Sequence, residues 1–162
     1  MNNRDVVVVG GGITKFASER VDASVRDLVT EAAMMAVEDA GVDLQAVEHG
    51  LTSYESDHFN RQMTLGAILH DHIGMTPKPN LRVEGGGATG ALALRTAFAY
   101  VKSGLCDSII VYGGETNRVP GGHFCEPRAA CPFIETNRVP GGHPFWVVKA
   151  PITWPSIAIS AA

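Results

Sequence analysis

Cysteine is scarce in this sequence: three residues among 162, an odd number and scattered. Such a set makes no disulfide framework, so reduced thiols are expected and the fold has to be held by its core. Runs of lysine or arginine are also missing, and the formal charge is −4. That leaves no electrostatic footprint for nucleic acid or an anionic membrane, and neither partner is expected. No apolar stretch reaches membrane-spanning length, and the first five residues run straight into four valines and then glycine, too short a stretch for a secretory signal. A cytoplasmic protein is the expectation.

What is present is a packed-protein composition, 45% hydrophobic and 19% charged, in a length that normally makes one domain. Residues 6–9 (VVVV) read as a strand buried on both faces and ended by Gly10, Gly11 and Gly12. Ser24 and Asp27 form a capping box, and apolar residues then recur at helical spacing from Val25 to Ala40 until Gly41 stops the helix. A short strand is predicted near 50–54, a helix over about 61–73 ended by Gly74, and a strand over 81–84. A helix over 88–103 ended by Gly104 and a strand over 108–112 complete the series. Strand and helix alternate, which predicts an α/β fold with a mainly parallel sheet, helices on its faces and right-handed crossovers.

The helix over 88–103 is apolar around nearly its whole circumference, whereas a helix on the outside of one sheet needs only one apolar stripe. It is either deeply buried in a compact domain or sandwiched against a second layer that this chain does not supply. After Gly114 the character changes. Residues 115–123 (ETNRVPGGH) recur without a change at 135–143, and two Pro-Gly-rich copies fall short of the three or more stacked units of a repeat fold. A local duplication or an error in the gene model fits better. The expected organisation is a domain over 1–114 and an irregular tail over 115–162.

Four chemistries are worth weighing against these residues. Gly10 to Gly12 begin like a dinucleotide fingerprint, but Lys15 stands where the third glycine belongs, and no Gly-Lys-Ser/Thr follows Gly85 to Gly90 to make a phosphate loop. Both clusters are left as tight strand exits. His123, Cys125, Cys131 and His143 have the composition of a zinc site but not its two-to-four-residue spacing, and His70 and His72 face different sides of their helix, so no metal is expected. A nucleophile at the start of the helix after RVEGGGATGAL would be activated by the helix dipole, yet that turn holds only Gly85, Gly86 and Gly87. Thr89 is the one hydroxyl nearby and reads as a helix cap. Cys106, at the far end of the helix, reads as a small hydrophobe. Tyr54, Glu55, His58 and Asn60 form a polar cluster after the second strand, either lining a site or solvated in a loop.

Three stretches together resemble one family: VVVVGGGITKF at 6–16, DLVTEAAMMAVEDAGV at 27–42 and, most specifically, LRVEGGGATGALALRTAFAYVKSGLCDSIIVYGGE at 81–115. They look like the N-terminal half of a thiolase, of the sterol-carrier-protein and archaeal type. The resemblance covers roughly residues 4–115 and implies a βαβαβαββ half of a five-layer fold, with the helix over 88–103 packed against a second half, a separate subunit, or nothing. It also places Gly87 at the position of the family's acyl-accepting cysteine. A thiolase without that thiol has no covalent acyl intermediate, so thiolysis by this chain alone is not expected. The implied substrate is a coenzyme A thioester, with no further cofactor and with Gly85, Gly86, Gly87 and Thr89 against it. The resemblance further implies an oligomer or a complete thiolase-like partner, and a role in lipid metabolism. It extends to thiolase-like retro-aldolases that work with an OB-fold, zinc-ribbon partner. A non-catalytic acyl-CoA or lipid-binding module is the alternative from another class.

Overall fold

The computed structural model describes residues 5–15, 20, 22–60 and 62–114, together with the backbone of the strand at 145–149. In chain order the elements are β1 (Val7–Gly12), α1 (Val25–Ala40), β2 (His49–Ser53), the one-turn helix α2 (Asp57–Asn60), α3 (Leu65–His72), β3 (Asn80–Val83), α4 (Thr89–Ser103), β4 (Ser108–Tyr112) and β5 (Phe145–Lys149). They build one five-stranded sheet in the order β1-β5-β4-β2-β3. β2 is parallel to both β3 and β4, while β5 runs antiparallel between β4 and β1. Four of the five strands therefore run the same way, β5 alone opposing them, with β1 and β3 at the two edges of the sheet.

The two faces are covered unequally. Ile110 and Tyr112 of β4 point to the side where α1 and α3 pack, with Val29, Ala32, Ala33, Ala36, Leu65 and Leu69 closing that core. Ile109 and Val111 point the other way, with Leu51, and meet Ala93, Ala97 and Val101 of α4 alone. The period-2 alternation along β4 thus feeds two separate cores from one fully buried strand. α1 begins where the sequence predicts: Ser24 accepts from the Asp27 N–H, and the Asp27 carboxylate accepts from the Ser24 N–H at 2.8 Å. It ends at Gly41 in the left-handed region, φ 61°.

Three expectations are corrected. β1 is not buried on both faces: it is an edge strand, and Val7 and Val8 are 42% and 48% exposed. The glycines after them are no strand exit. They lie within β1, where a Cβ on Gly12 would stand 2.2 Å from the Ala32 carbonyl oxygen and one on Gly10 would stand 2.5 Å from that of Ala36. Their bare backbone lets α1 lie directly on the strand, and the Asp39 carboxylate accepts the Gly11 N–H at 2.9 Å. Finally, the segment from 115 onward is not irregular throughout. FWVVK, aromatic and β-branched, forms β5 and fills the gap between β1 and β4. The duplicated segments and the rejected zinc residues His123, Cys125, Cys131 and His143 lie outside the described residues.

Candidate functional site

The turn between β3 and α4 is built from the three glycines and one threonine. The chain leaves β3 through Glu84 and Gly85, takes a single tight turn over Gly86–Ala88, and enters α4 at Thr89. Gly86 sits at φ +56°, a left-handed conformation that disfavours any side chain. A Cβ on Gly85 would meet Leu92 Cδ1 at 2.1 Å, because the Leu92 side chain folds back over the turn. Thr89 is not the helix cap that its sequence position suggests. Ala88 occupies the cap position without a side-chain bond, and the Thr89 hydroxyl staples the turn, accepting from the Gly85 N–H at 2.9 Å and donating to the Gly86 carbonyl at 2.6 Å. Its side chain is buried.

Backbone bonds within the turn run from the Ala88 N–H to the Gly85 carbonyl and from the Thr89 N–H to the Gly86 carbonyl. The N–H groups of Gly86 and Gly87 enter none of the turn's hydrogen bonds. Residues 84–88 are all exposed, and they precede a helix of 15 residues whose dipole adds positive potential at that end. Chemically, such a turn can favour a partial negative charge beside it, with a bare Cα at Gly87 and no reactive side chain in the turn.

A second polar group borders the turn. Arg82 on β3 lies over the Tyr54 ring, its central carbon 4.1 Å from the ring centroid. Its guanidinium donates to Glu84 Oε2 at 2.7 Å, to Asp57 Oδ2 at 3.3 Å and to the Glu55 carbonyl at 3.3 Å. Tyr54 donates its hydroxyl proton to Asp57 Oδ1 at 2.9 Å and accepts from the Gly66 N–H at 3.2 Å. Burial, then the bond to Asp57, pushes the Tyr54 phenol above its ordinary pKa. Of the cluster named from the sequence, Tyr54 and the Glu55 backbone belong to this group. Asn60 donates to the Ser56 carbonyl at 3.2 Å, and the His58 side chain lies outside the described residues. Asp57, Arg82 and Glu84 were not singled out. The signal that could have found two of them is the i, i+2 spacing of Arg82 and Glu84, which places opposite charges on one side at the end of the strand. With 32% to 54% exposure, each ion pair contributes at most about 1 kcal/mol.

Deeper under α3, His70 and Tyr112 form a buried pair. His70 Nε2 lies 2.8 Å from the Lys78 carbonyl oxygen, which can only accept, so the proton is on Nε2 and Nδ1 accepts from the Tyr112 hydroxyl at 2.5 Å. Burial holds His70 below the ordinary histidine pKa and pushes the Tyr112 phenol well above its own. Both groups are neutral near pH 7, consistent with a structural pair. His72 is exposed, so the two histidines do face different ways. Cys106 is buried and packs in the α4 core. Among the described residues no cluster of three metal-ligating side chains occurs, and no helix is long and apolar enough to cross a membrane.

α4 buries only one stripe. Its outer side leaves Leu92 36% and Phe98 48% exposed, with Leu105 just beyond the helix at 65% and Leu81 of β3 at 39% on the same face of the sheet. The helix that is apolar all round in sequence therefore has one covered and one bare apolar side.

The comparisons with known proteins bear on this arrangement. A family model described as the N-terminal domain of thiolase matches residues 6–120. Acetyl-CoA acetyltransferase of Methanothermobacter thermautotrophicus is 44% identical over 115 residues, which are 69% of this chain and 29% of that protein. Sterol carrier protein 2 of Gallus gallus is 36% identical over 115 residues, 69% of this chain and 20% of that protein. The chain thus spans less than a third of the length of these relatives. Among solved structures, the Ltp2-ChsH2(DUF35) aldolase is alike in fold, with a TM-score of 0.55 at 23% identity over 70% of this chain and 28% of that one. With its β3-turn-α4 unit inside the matched residues, the chain belongs to the family of thiolase N-terminal domains.

Proposed function

We propose that the domain acts on carbon–carbon bonds of acyl-CoA thioesters, as part of a larger catalytic assembly, and that it does so without a cysteine nucleophile. The observation that carries this reading is the exposed turn over Gly85, Gly86 and Gly87, where two N–H groups without a hydrogen-bond partner among the described residues precede a long helix; we take Gly87 to stand at the position of the family's cysteine. In this reading the turn receives the thioester carbonyl. The N–H groups stabilise the enolate oxygen that forms when a base takes a proton from the neighbouring carbon, or when a base takes the β-hydroxyl proton and a neutral aldehyde or ketone leaves that carbon, and the missing Cβ at Gly87 leaves room for the substrate. Thr89 supports the site by holding the turn, since its hydroxyl is already engaged. No cofactor beyond the coenzyme A thioester itself is called for, and the cytoplasm is the compartment we assign.

The bare side of α4 is the reason for placing the domain in an assembly. A second half, another copy or a complete thiolase-like subunit would cover Leu92, Phe98 and Leu105. A second reading is retro-aldol cleavage with an OB-fold, zinc-ribbon partner. The three glycines favour it, because that chemistry needs oxyanion donors and a base but no thiol. Calorimetry with acetyl-CoA, together with incubation of the chain with acetoacetyl-CoA and free CoA, tests the proposal. Binding without thiolysis is the expected result; steady turnover to acetyl-CoA would overturn the cysteine-free reading.

A further inference from the structure

We infer that Arg82 is a positioning residue for the glycine turn, an inference that rests on the reading of that turn as the thioester seat. Two segments meet at its guanidinium: the chain beyond β2 through the Glu55 carbonyl and Asp57, and the chain leaving β3 through Glu84. The start of α3 is joined indirectly, through Tyr54, whose ring lies under the guanidinium and whose hydroxyl donates to Asp57 and accepts from the Gly66 N–H. Glu84 is bonded directly to Gly85. The short 2.7 Å contact to Glu84 therefore fixes the residue from which the turn departs, while the contacts to Asp57 and Glu55 fix the guanidinium itself against the neighbouring strand end.

The turn has its own staple at Thr89, but that staple joins only residues of the turn and helix to one another. Nothing in it ties the turn to the end of β2. The Glu84–Arg82–Asp57 chain does, at the edge of the sheet, where β2 is the one strand paired with β3 among the described residues. Arg82 suits this role because a planar fork reaches two carboxylates and a carbonyl at once while its face rests on Tyr54. A lysine at the same place offers a single ammonium and cannot hold both carboxylates in one geometry.

The test uses the full chain and four variants, R82Q, R82K, E84Q and S24A, read by amide NMR of Gly86 and Gly87 and by calorimetry with acetyl-CoA. The R82Q, R82K and E84Q variants are expected to shift the Gly86 and Gly87 amide resonances and to weaken acetyl-CoA binding, by up to about fivefold for E84Q, which loses one contact, and by up to about thirtyfold for the Arg82 variants, which lose both. S24A, which loses a helix cap on α1, is expected to lower stability while leaving those two resonances in place. Should R82Q fail to fold, E84Q at an exposed carboxylate carries the test alone. Unmoved Gly86 and Gly87 amides in folded R82Q or E84Q would overturn the role of Arg82. If the unmodified chain does not bind acetyl-CoA, the reading of the turn as a thioester seat falls, and the amide shifts still decide whether Arg82 positions the turn.

Discussion

Replacing Gly87 by cysteine would test the electrostatics of the turn directly. Gly87 is exposed and is not among the residues with positive φ, so a Cβ there meets no backbone strain, unlike one on Gly86 at φ +56°. The thiol would stand two residues ahead of α4, at the positive end of a helix of 15 residues. A helix dipole contributes about 0.3–1 kcal/mol to a charge in the first turn, equivalent to about 0.2–0.7 pKa units. From an ordinary thiol near 8.5 this predicts an apparent pKa of about 7.8–8.3, raising the thiolate fraction at pH 7 from roughly 3% to about 5–14%. Hydrogen bonds from the unengaged N–H groups would lower it further. The Glu84 carboxylate opposes the effect, but its ion pair with Arg82 at 2.7 Å blunts that opposition.

The fair comparison is a cysteine at Ser103, exposed in the last turn of the same helix, where the dipole has the opposite sign. Both variants are made with Cys125 and Cys131 replaced by serine, and alkylation by iodoacetamide is followed by intact mass as a function of pH. Buried Cys106 serves as the slow internal reference. The Gly87→Cys thiol is expected to titrate about 0.4–1.4 units below the Ser103→Cys thiol, twice the single-ended effect. Equal pKa values, or a Gly87→Cys value at or above that of an ordinary thiol, would refute the claim that the turn favours negative charge.

Other outcomes follow from the packing. Gly12→Ala places a Cβ 2.2 Å from the Ala32 carbonyl oxygen, so α1 has to lift from β1 and the unfolding midpoint should fall by an amount corresponding to about 1–3 kcal/mol; an unchanged denaturation curve would contradict the close approach. Tyr112→Phe leaves His70 Nδ1 buried without its donor and should destabilise by about 1–3 kcal/mol in the same assay. Because His70 titrates below its unfolded value, the unfolded chain takes up the proton first as pH falls. Its contribution is therefore constant well above about pH 6.5, and stability declines below that by at most about 1.4 kcal/mol per pH unit until the folded pKa is passed; in the Tyr112→Phe variant the pH dependence measured by urea unfolding should change. Polar replacement of Phe98 should leave stability within about 0.5 kcal/mol and reduce light scattering by self-association, whereas a marked loss of stability would mean that its ring is packed within the chain.

The sequence was informative where one element carries its own signal, and silent where meaning depends on what lies alongside. The Ser24 and Asp27 box, the helical repeat to Ala40 and the stop at Gly41 are local, and α1 matches them. The run at 6–9 carries the same composition whether its strand is central or at an edge. Position in the sheet is decided by β5, more than 130 residues later in the chain, which takes the place beside β4 and leaves β1 outside. Glycine is ambiguous for a related reason. Gly10 and Gly12 have no Cβ because a helix lies on them, Gly86 because its φ is positive, and Gly85 because Leu92 folds back over it, yet all four read alike in a string of letters. The group around Arg82 shows the limit most clearly. Tyr54, Asp57, Arg82 and Glu84 come from two stretches separated by α3, and only the parallel pairing of β2 with β3 brings them together. A resemblance at the level of the turn could assign Gly87 its place, but it could not say what ties that turn to the adjacent strand, because that depends on register across the sheet and not on any spacing along the chain.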